Sequence, residues 1–263
     1  MTSRQTVLCG VLLIGCCLPG ASRAQEDPGL VPGLYRLEMI MASVARLPFF
    51  GSSKSASKST SLVQIRRDGS GWVQSHEVCD FRVLEDSAMI KLIFPEKFVA
   101  SLAKHSYPVQ LDKDDLGWRY RADLGVEKIG YKGETGDDPL PSRIDDPSVF
   151  DWDSDGHPGA TLKLSVPLLP PGELYIVQTG RSILDGRITE TGTIEGSIEV
   201  RSFQQRVLGA RPSFLNRSPE IHADPKASRF TLVPVPSGTT CKTLKSEINA
   251  GEREAGAPGG GFS

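Results

Sequence analysis

The chain has 263 residues, with 30 Lys and Arg against 32 Asp and Glu and a formal net charge of -2. That length supports one large domain or two small ones around a substantial buried core. The two signs of charge are interspersed with no sustained basic stripe, so electrostatics give no reason to expect nucleic acid or an anionic membrane surface as partner.

The first residues read as a targeting segment. Arg4 is followed by an apolar run over 6–18 and then by small and helix-breaking residues as far as Ala24. The run is shorter than the roughly 20 apolar residues of a membrane span. No later stretch is a better candidate, so the expectation is an exported chain, periplasmic or secreted, with no transmembrane span. Cleavage has two readings. Ser22-Arg23-Ala24 places small residues at the two positions a signal peptidase inspects, which makes 1–24 a signal peptide and releases a soluble product from Gln25. Leu13-Ile14-Gly15-Cys16 resembles the lipobox of bacterial lipoproteins, and that resemblance implies a lipidated Cys16 and a lipid anchor in the cell envelope. Of the 5 cysteines, Cys9, Cys16 and Cys17 fall in this segment and leave Cys79 and Cys241. Two cysteines in an oxidising compartment point to one disulfide, contributing on the order of 3–5 kcal/mol across so long a loop.

Beyond the targeting segment, period-2 alternation dominates and predicts a mainly β protein. Tyr35, Leu37, Met39 and Met41 alternate with Arg36, Glu38 and Ile40. Residues 51–60, rich in Ser and Lys, read as a loop or strand junction. Val63 and Ile65 then lead into Asp68-Gly69, which suits a tight hairpin turn. In the return strand over 72–84, Val73, Cys79, Phe81 and Val83 are assigned to one face and Gln74, His76, Asp80 and Arg82 to the other. A strand over 88–94 precedes a short helix opened by Pro95, with Phe98, Val99 and Leu102 as its apolar stripe. Further strands are expected over 118–124, around Ile129 and Tyr131, and over 161–168, 173–178, 187–191, 193–200 and 229–235. Pro170-Pro171-Gly172, Asp185-Gly186 and Thr191-Gly192 are the intervening turns. An antiparallel meander of this length manages its edges by closing into a barrel or folding into a β-sandwich. The arrangement is similar in architecture to lipocalin-like barrels, with one short helix. A single β domain is expected over 25–244, with a disordered tail over 245–263.

One run concentrates chemistry: Asp151-Trp152-Asp153-Ser154-Asp155-Gly156-His157-Pro158-Gly159. Carboxylates at alternate positions followed by a glycine that permits a sharp turn are what a hard cation needs to gather oxygen ligands from a short segment. An EF-hand would add a bidentate Glu at its twelfth position, which here is Leu162 in a predicted strand. Residues 151–159 resemble the D-x-D-x-D-G loops of thrombospondin type 3 repeats and the calcium hairpins of integrin propeller blades. The resemblance implies a structural calcium ion held by Asp151, Asp153, Asp155 and the backbone carbonyl of His157, with a remote acid completing the shell. Asp137, Asp138, Asp145 and Asp146 are near in sequence, and Asp145 and Asp146 are the closest. The competing reading is a solvated acidic turn, since Asp and Gly are ordinary turn residues; three unneutralised carboxylates would repel one another there.

Catalytic signatures are thin. His76, His105, His157 and His222 lie in separate segments, and no H-E-x-x-H, G-x-S-x-G or phosphate-binding glycine loop is present. His76 and Asp80 read as one solvated strand face. Three functions follow: a non-catalytic, calcium-stabilised binding module for a small molecule, glycan or protein; an envelope lipoprotein with a structural or assembly role; and a metal-dependent hydrolase.

Overall fold

The structure is a computed structural model that describes residues 29–47, 51–84, 91–102, 104–133, 138–165 and 171–256. The signal peptide over 1–24, the lipobox Cys16, Asp137, the expected strand residues 88–90 and the tail over 257–263 lie outside the described residues.

Alternating apolar and polar residues build a single sheet of 11 antiparallel strands. In chain order these are β1 (Gly33–Leu47), β2 (Gly51–Asp68), β3 (Gly71–Leu84), β4 (Lys91–Ile93), β5 (His105–Asp114), β6 (Gly117–Ile129), β7 (Ala160–Ser165), β8 (Gly172–Ile188), β9 (Ile194–Arg211), β10 (Glu220–Ala223) and β11 (Arg229–Val235). Helix α1 (Glu96–Ser101) follows β4, and α2 (Cys241–Gly256) follows β11.

Strands β8, β6, β5, β3, β2, β1, β11 and β9 are hydrogen-bonded in that order, and β9 returns to β8, so eight strands form a ring. It is not a plain barrel. β8 is long enough to pair with β7 over its first residues and with β6 over the rest, so β7 and β4 branch from the ring, while β10 pairs with β1. All eight ring strands contribute to one buried cluster, which includes Tyr35, Ile65, Trp72, Val109, Tyr120, Leu184, Ile198 and Phe230. Only the inside of the ring is common to all eight, and apolar burial there supplies the main driving force for closure. A second cluster gathers around α1. Phe98 is 2% exposed and packs with Ile129, Ala160, Leu162, Ile176 and Val207.

Several sequence expectations are corrected by this topology. Residues 51–60 are the first half of β2, paired in continuous register with β1, because a long partner strand satisfies the backbone of a Ser-rich segment as well as of an apolar one. Asp185-Gly186 is not a turn. Gly186 stands opposite Gly196 inside a continuous β8–β9 pair, and a Cβ on Gly196 would lie 2.1 Å from the Asp185 carbonyl oxygen, so these glycines allow close backbone approach instead of reversing the chain. The two faces of β3 are also reassigned. A β-bulge opposite Thr60 and Ser61 shifts the pairing, so side-chain parity changes along β3. Gln74, expected in solvent, is 0% exposed and accepts a hydrogen bond from the Tyr120 hydroxyl. Asp80 pairs with Arg82 at 2.7 Å and shares no face with His76.

The expected unstructured tail starts too early, because α2 continues through 245–256. Its start is set locally: the Thr240 N–H donates to the Thr243 hydroxyl at 2.9 Å and the Thr243 N–H to the Thr240 hydroxyl at 3.2 Å, a reciprocal cap. Cys79 and Cys241 are disulfide-bonded, which fastens α2 to β3, and Leu244 is 1% exposed. Among the described residues there are therefore two α-helices where one helix was expected.

Candidate metal centre

The acidic run lies between the segment that leaves β6 and the start of β7. Trp152 N–H donates to the Gly159 carbonyl at 3.0 Å and Gly159 N–H to the Phe150 carbonyl at 2.9 Å, which closes residues 151–159 into a loop. Inside the loop the aspartates shape the backbone. The two oxygens of Asp151 accept the N–H groups of Asp155 and Gly156, each at 3.0 Å, and Asp155 Oδ1 accepts the His157 N–H at 2.9 Å. Side-chain oxygens that take backbone N–H groups two to five residues on are how short polar residues stabilise tight turns. Gly156 has φ +95° and Ser154 φ 56°, so the turn passes twice through the left-handed region. Gly159 ends it. Its φ is +83° and an added Cβ would lie 2.6 Å from the Ile176 carbonyl oxygen of β8, so the loop exit presses directly onto the sheet.

Two contacts tie the loop to α1. The Lys97 ammonium donates to the Ser154 carbonyl at 2.7 Å, and the Trp152 ring lies 5.2 Å from the Phe98 ring, centroid to centroid. His157 stacks on Tyr175 of β8 with centroids 4.8 Å apart, so its imidazole is engaged in packing.

Asp151, Asp153 and Asp155 each place a carboxylate oxygen within 4.8 Å of the others, an arrangement that could hold a metal ion. Oxygens on opposite sides of a calcium ion, each at 2.3–2.6 Å, are separated by about 5 Å. The spacing is therefore one that a single ion can bridge. Asp153 is the central residue. It is 2% exposed; its Oδ2 accepts the Thr161 N–H at 3.0 Å, and its Oδ1 has no hydrogen-bond partner among the described residues. Burial holds its carboxyl above the usual range, the Thr161 N–H acts against this, and the Asp155 and Asp151 charges add to the rise. A buried carboxylate oxygen with no donor and two like-charged neighbours is costly unless a cation joins it.

The remaining proposed ligands are placed elsewhere. Asp145 takes a bidentate bond from Arg143, at 2.8 and 2.6 Å, and Asp146 accepts from the N–H and hydroxyl of Ser148, at 2.9 and 2.7 Å. Neither belongs to the group of three found among the described residues, and Asp137 lies outside them. Sequence reasoning missed the burial of Asp153, the Thr161 N–H and the Lys97 contact. The apolar alternation of β7 after the loop is the one sequence signal that could have suggested the first. The second and third depend on where α1 and β7 come to lie.

No family model, curated protein or solved structure matches the chain.

Proposed function

We propose that this protein is an exported, non-catalytic β-domain binding module in which the 151–159 loop holds calcium as a structural ion. Asp153 carries the reading. Its Oδ1 is buried and without a hydrogen-bond partner among the described residues, one of its carboxylate oxygens lies within 4.8 Å of one from Asp151 and one from Asp155, and a hard dication is the group that converts this repulsion into binding. All-oxygen ligands favour calcium or magnesium over softer metals, and a loop that supplies most ligands from one flexible segment suits calcium's irregular coordination better than magnesium's strict octahedron. The carbonyl of His157 and water would complete the shell, since Asp145 and Asp146 are engaged by Arg143 and Ser148.

The ion's position argues for a structural role. Through Trp152 it adjoins Phe98, and through Asp153 it adjoins the first residue pair of β7, so binding would pin α1, the loop and the branch of the sheet together. Export is supported by the apolar amino-terminal run and by the Cys79–Cys241 pair, which suits an oxidising compartment. The partner is a small molecule, glycan or protein.

Native intact-mass spectrometry of the mature protein, with calcium and then with chelator, tests the reading. The expected result is a chain beginning at Gln25, two mass units below the reduced value and carrying one calcium ion that chelator removes. A lipidated terminus at Cys16 would replace the soluble product with the envelope-anchored one. No bound ion at millimolar calcium would overturn the calcium reading.

A further inference from the structure

The interior of the ring changes character along β3 and β5. Trp72 stands opposite Val109, Gln74 opposite Tyr107, and His76 opposite His105. Side chains alternate along a strand, so Trp72, Gln74 and His76 share one face, as do Val109, Tyr107 and His105. Trp72 and Val109 belong to the cluster to which all eight ring strands contribute, which places both histidines on the inner side. Directly opposed residues hold their Cβ atoms about 4.5–5.5 Å apart. The Tyr107 ring lies beside both imidazoles, with centroids 5.1 Å from His76 and 6.1 Å from His105. Glu127 of β6 is within electrostatic reach of His105 and Tyr107.

Two polar atoms in this recess lack partners among the described residues. Gln74 is 0% exposed and its Nε2 has no acceptor there, and the His76 Nε2 is likewise buried and unpartnered. Glu127 has no Lys or Arg ion pair among the described residues. Folding leaves such atoms unpaired only at a cost in stability. Burial, helped by the nearby His105, keeps the His76 imidazole neutral at neutral pH. The recess thus offers two imidazoles and one carboxylate, and among the described residues no Lys or Arg pairs with the acid.

We propose that His76, His105 and Glu127 form a site for a divalent transition-metal ion of the zinc, copper or nickel class inside the ring. Imidazole nitrogen with a single carboxylate is a ligand set these ions prefer and calcium does not. Gln74 Nε2 would donate to an oxygen ligand of the ion, whether water or the Tyr107 hydroxyl. The three ligand side chains do not stand converged, since among the described residues only the three aspartates have ligand atoms within 4.8 Å of one another. Binding therefore rotates the imidazoles toward each other across fixed strands, and affinity is weaker than that of a preformed site. His105 and Glu127 are exposed, which provides the ion's entry path.

This site is independent of the calcium loop, and its test keeps the two apart. The full mature chain is titrated calorimetrically with zinc in calcium-containing buffer, and separately with cobalt while visible d–d absorption is followed. One zinc ion is expected, together with a cobalt spectrum showing nitrogen ligands. His105→Ala, at an exposed position, should weaken zinc about 10-fold or more. His76→Gln and Glu127→Gln should do the same, with calcium binding unchanged. Asp153→Asn should leave zinc unchanged. Absence of zinc, copper and nickel binding would overturn the proposal, as would zinc binding that survives His105→Ala and His76→Gln but is lost in His157→Ala or His222→Ala.

Discussion

Asp153→Asn separates an ion site from a solvated acidic turn by the sign of its effect. The substitution keeps the shape of a residue that is 2% exposed and keeps an oxygen for the Thr161 N–H, now 3.0 Å from Oδ2. What changes is the charge. At a separation of up to 4.8 Å, each carboxylate pair involving Asp153 repels by about 3 kcal/mol at an effective dielectric of 20, and by about 1 kcal/mol in water. Asp151 is exposed, so the lower end applies and the two pairs together cost about 2 kcal/mol. In chelator the variant should therefore be the more stable protein by about 2 kcal/mol. Calcium reverses the order. At 100 times its dissociation constant the ion adds about 2.7 kcal/mol to the wild type, raising Tm by about 5–10 °C, while the variant has lost a charged ligand and gains little. Urea unfolding and thermal melts, each in chelator and in calcium, measure both terms. A variant that is less stable in chelator, or a wild type whose unfolding curve ignores calcium, would refute the reasoning.

Gly159→Ala forces a Cβ to within 2.6 Å of the Ile176 carbonyl at a φ of +83°, so it should cost about 2–4 kcal/mol in chelator melts and weaken calcium in the calorimeter. Replacing both Cys79 and Cys241 by Ala opens a loop with a sequence separation of 162 and should cost up to about 5 kcal/mol; limited proteolysis should then cut first around α2. His76 gives a pH dependence. Burial first, and His105 second, lower it from 6.5 to about 4, so the unfolded chain binds the extra proton between those values. Stability in chelator should be full above pH 6.5 and fall by at most about 3 kcal/mol as the pH drops toward 4. Tyr107, His105 and Glu127 face the same recess, and His76→Gln should flatten this part of the curve, a result read directly from urea midpoints against pH.

The legible part of the fold was the part governed by local periodicity. Tyr35, Leu37, Val63 and Ile65 alternate with polar residues because one face of each strand is buried, and their inward orientation was readable from the sequence. The same rule failed at β3, where the bulge beside Thr60 and Ser61 inverts the parity of every residue beyond it. It failed again at Gly186, because a glycine inside a close strand pair and a glycine in a turn look alike until the partner strand is known. β5 went unread: Tyr107, Val109 and Leu111 alternate, but Pro108 within them argues against a strand, and here its pairing with Val73 is tolerated. Helix α2 was hidden for another reason. Its polar surface resembles a solvated tail, and the Thr240–Thr243 cap that starts it, the disulfide to β3 and the burial of Leu244 become visible only in the fold.

The candidate metal centre divides in the same way. Asp151, Asp153, Asp155 and Gly156 were identifiable because a short cation loop writes its ligands into consecutive sequence, each spacing dictated by the backbone turn. By itself the sequence determined the β class, the acidic loop and the pair of cysteines left to bond. Tertiary structure decided which carboxylate is buried, that Asp145 and Asp146 answer to Arg143 and Ser148, and that His76 and His105 meet across two strands inside a ring. Strand pairing and ring closure bring together residues far apart in the chain, and no local pattern encodes which neighbour a side chain will have.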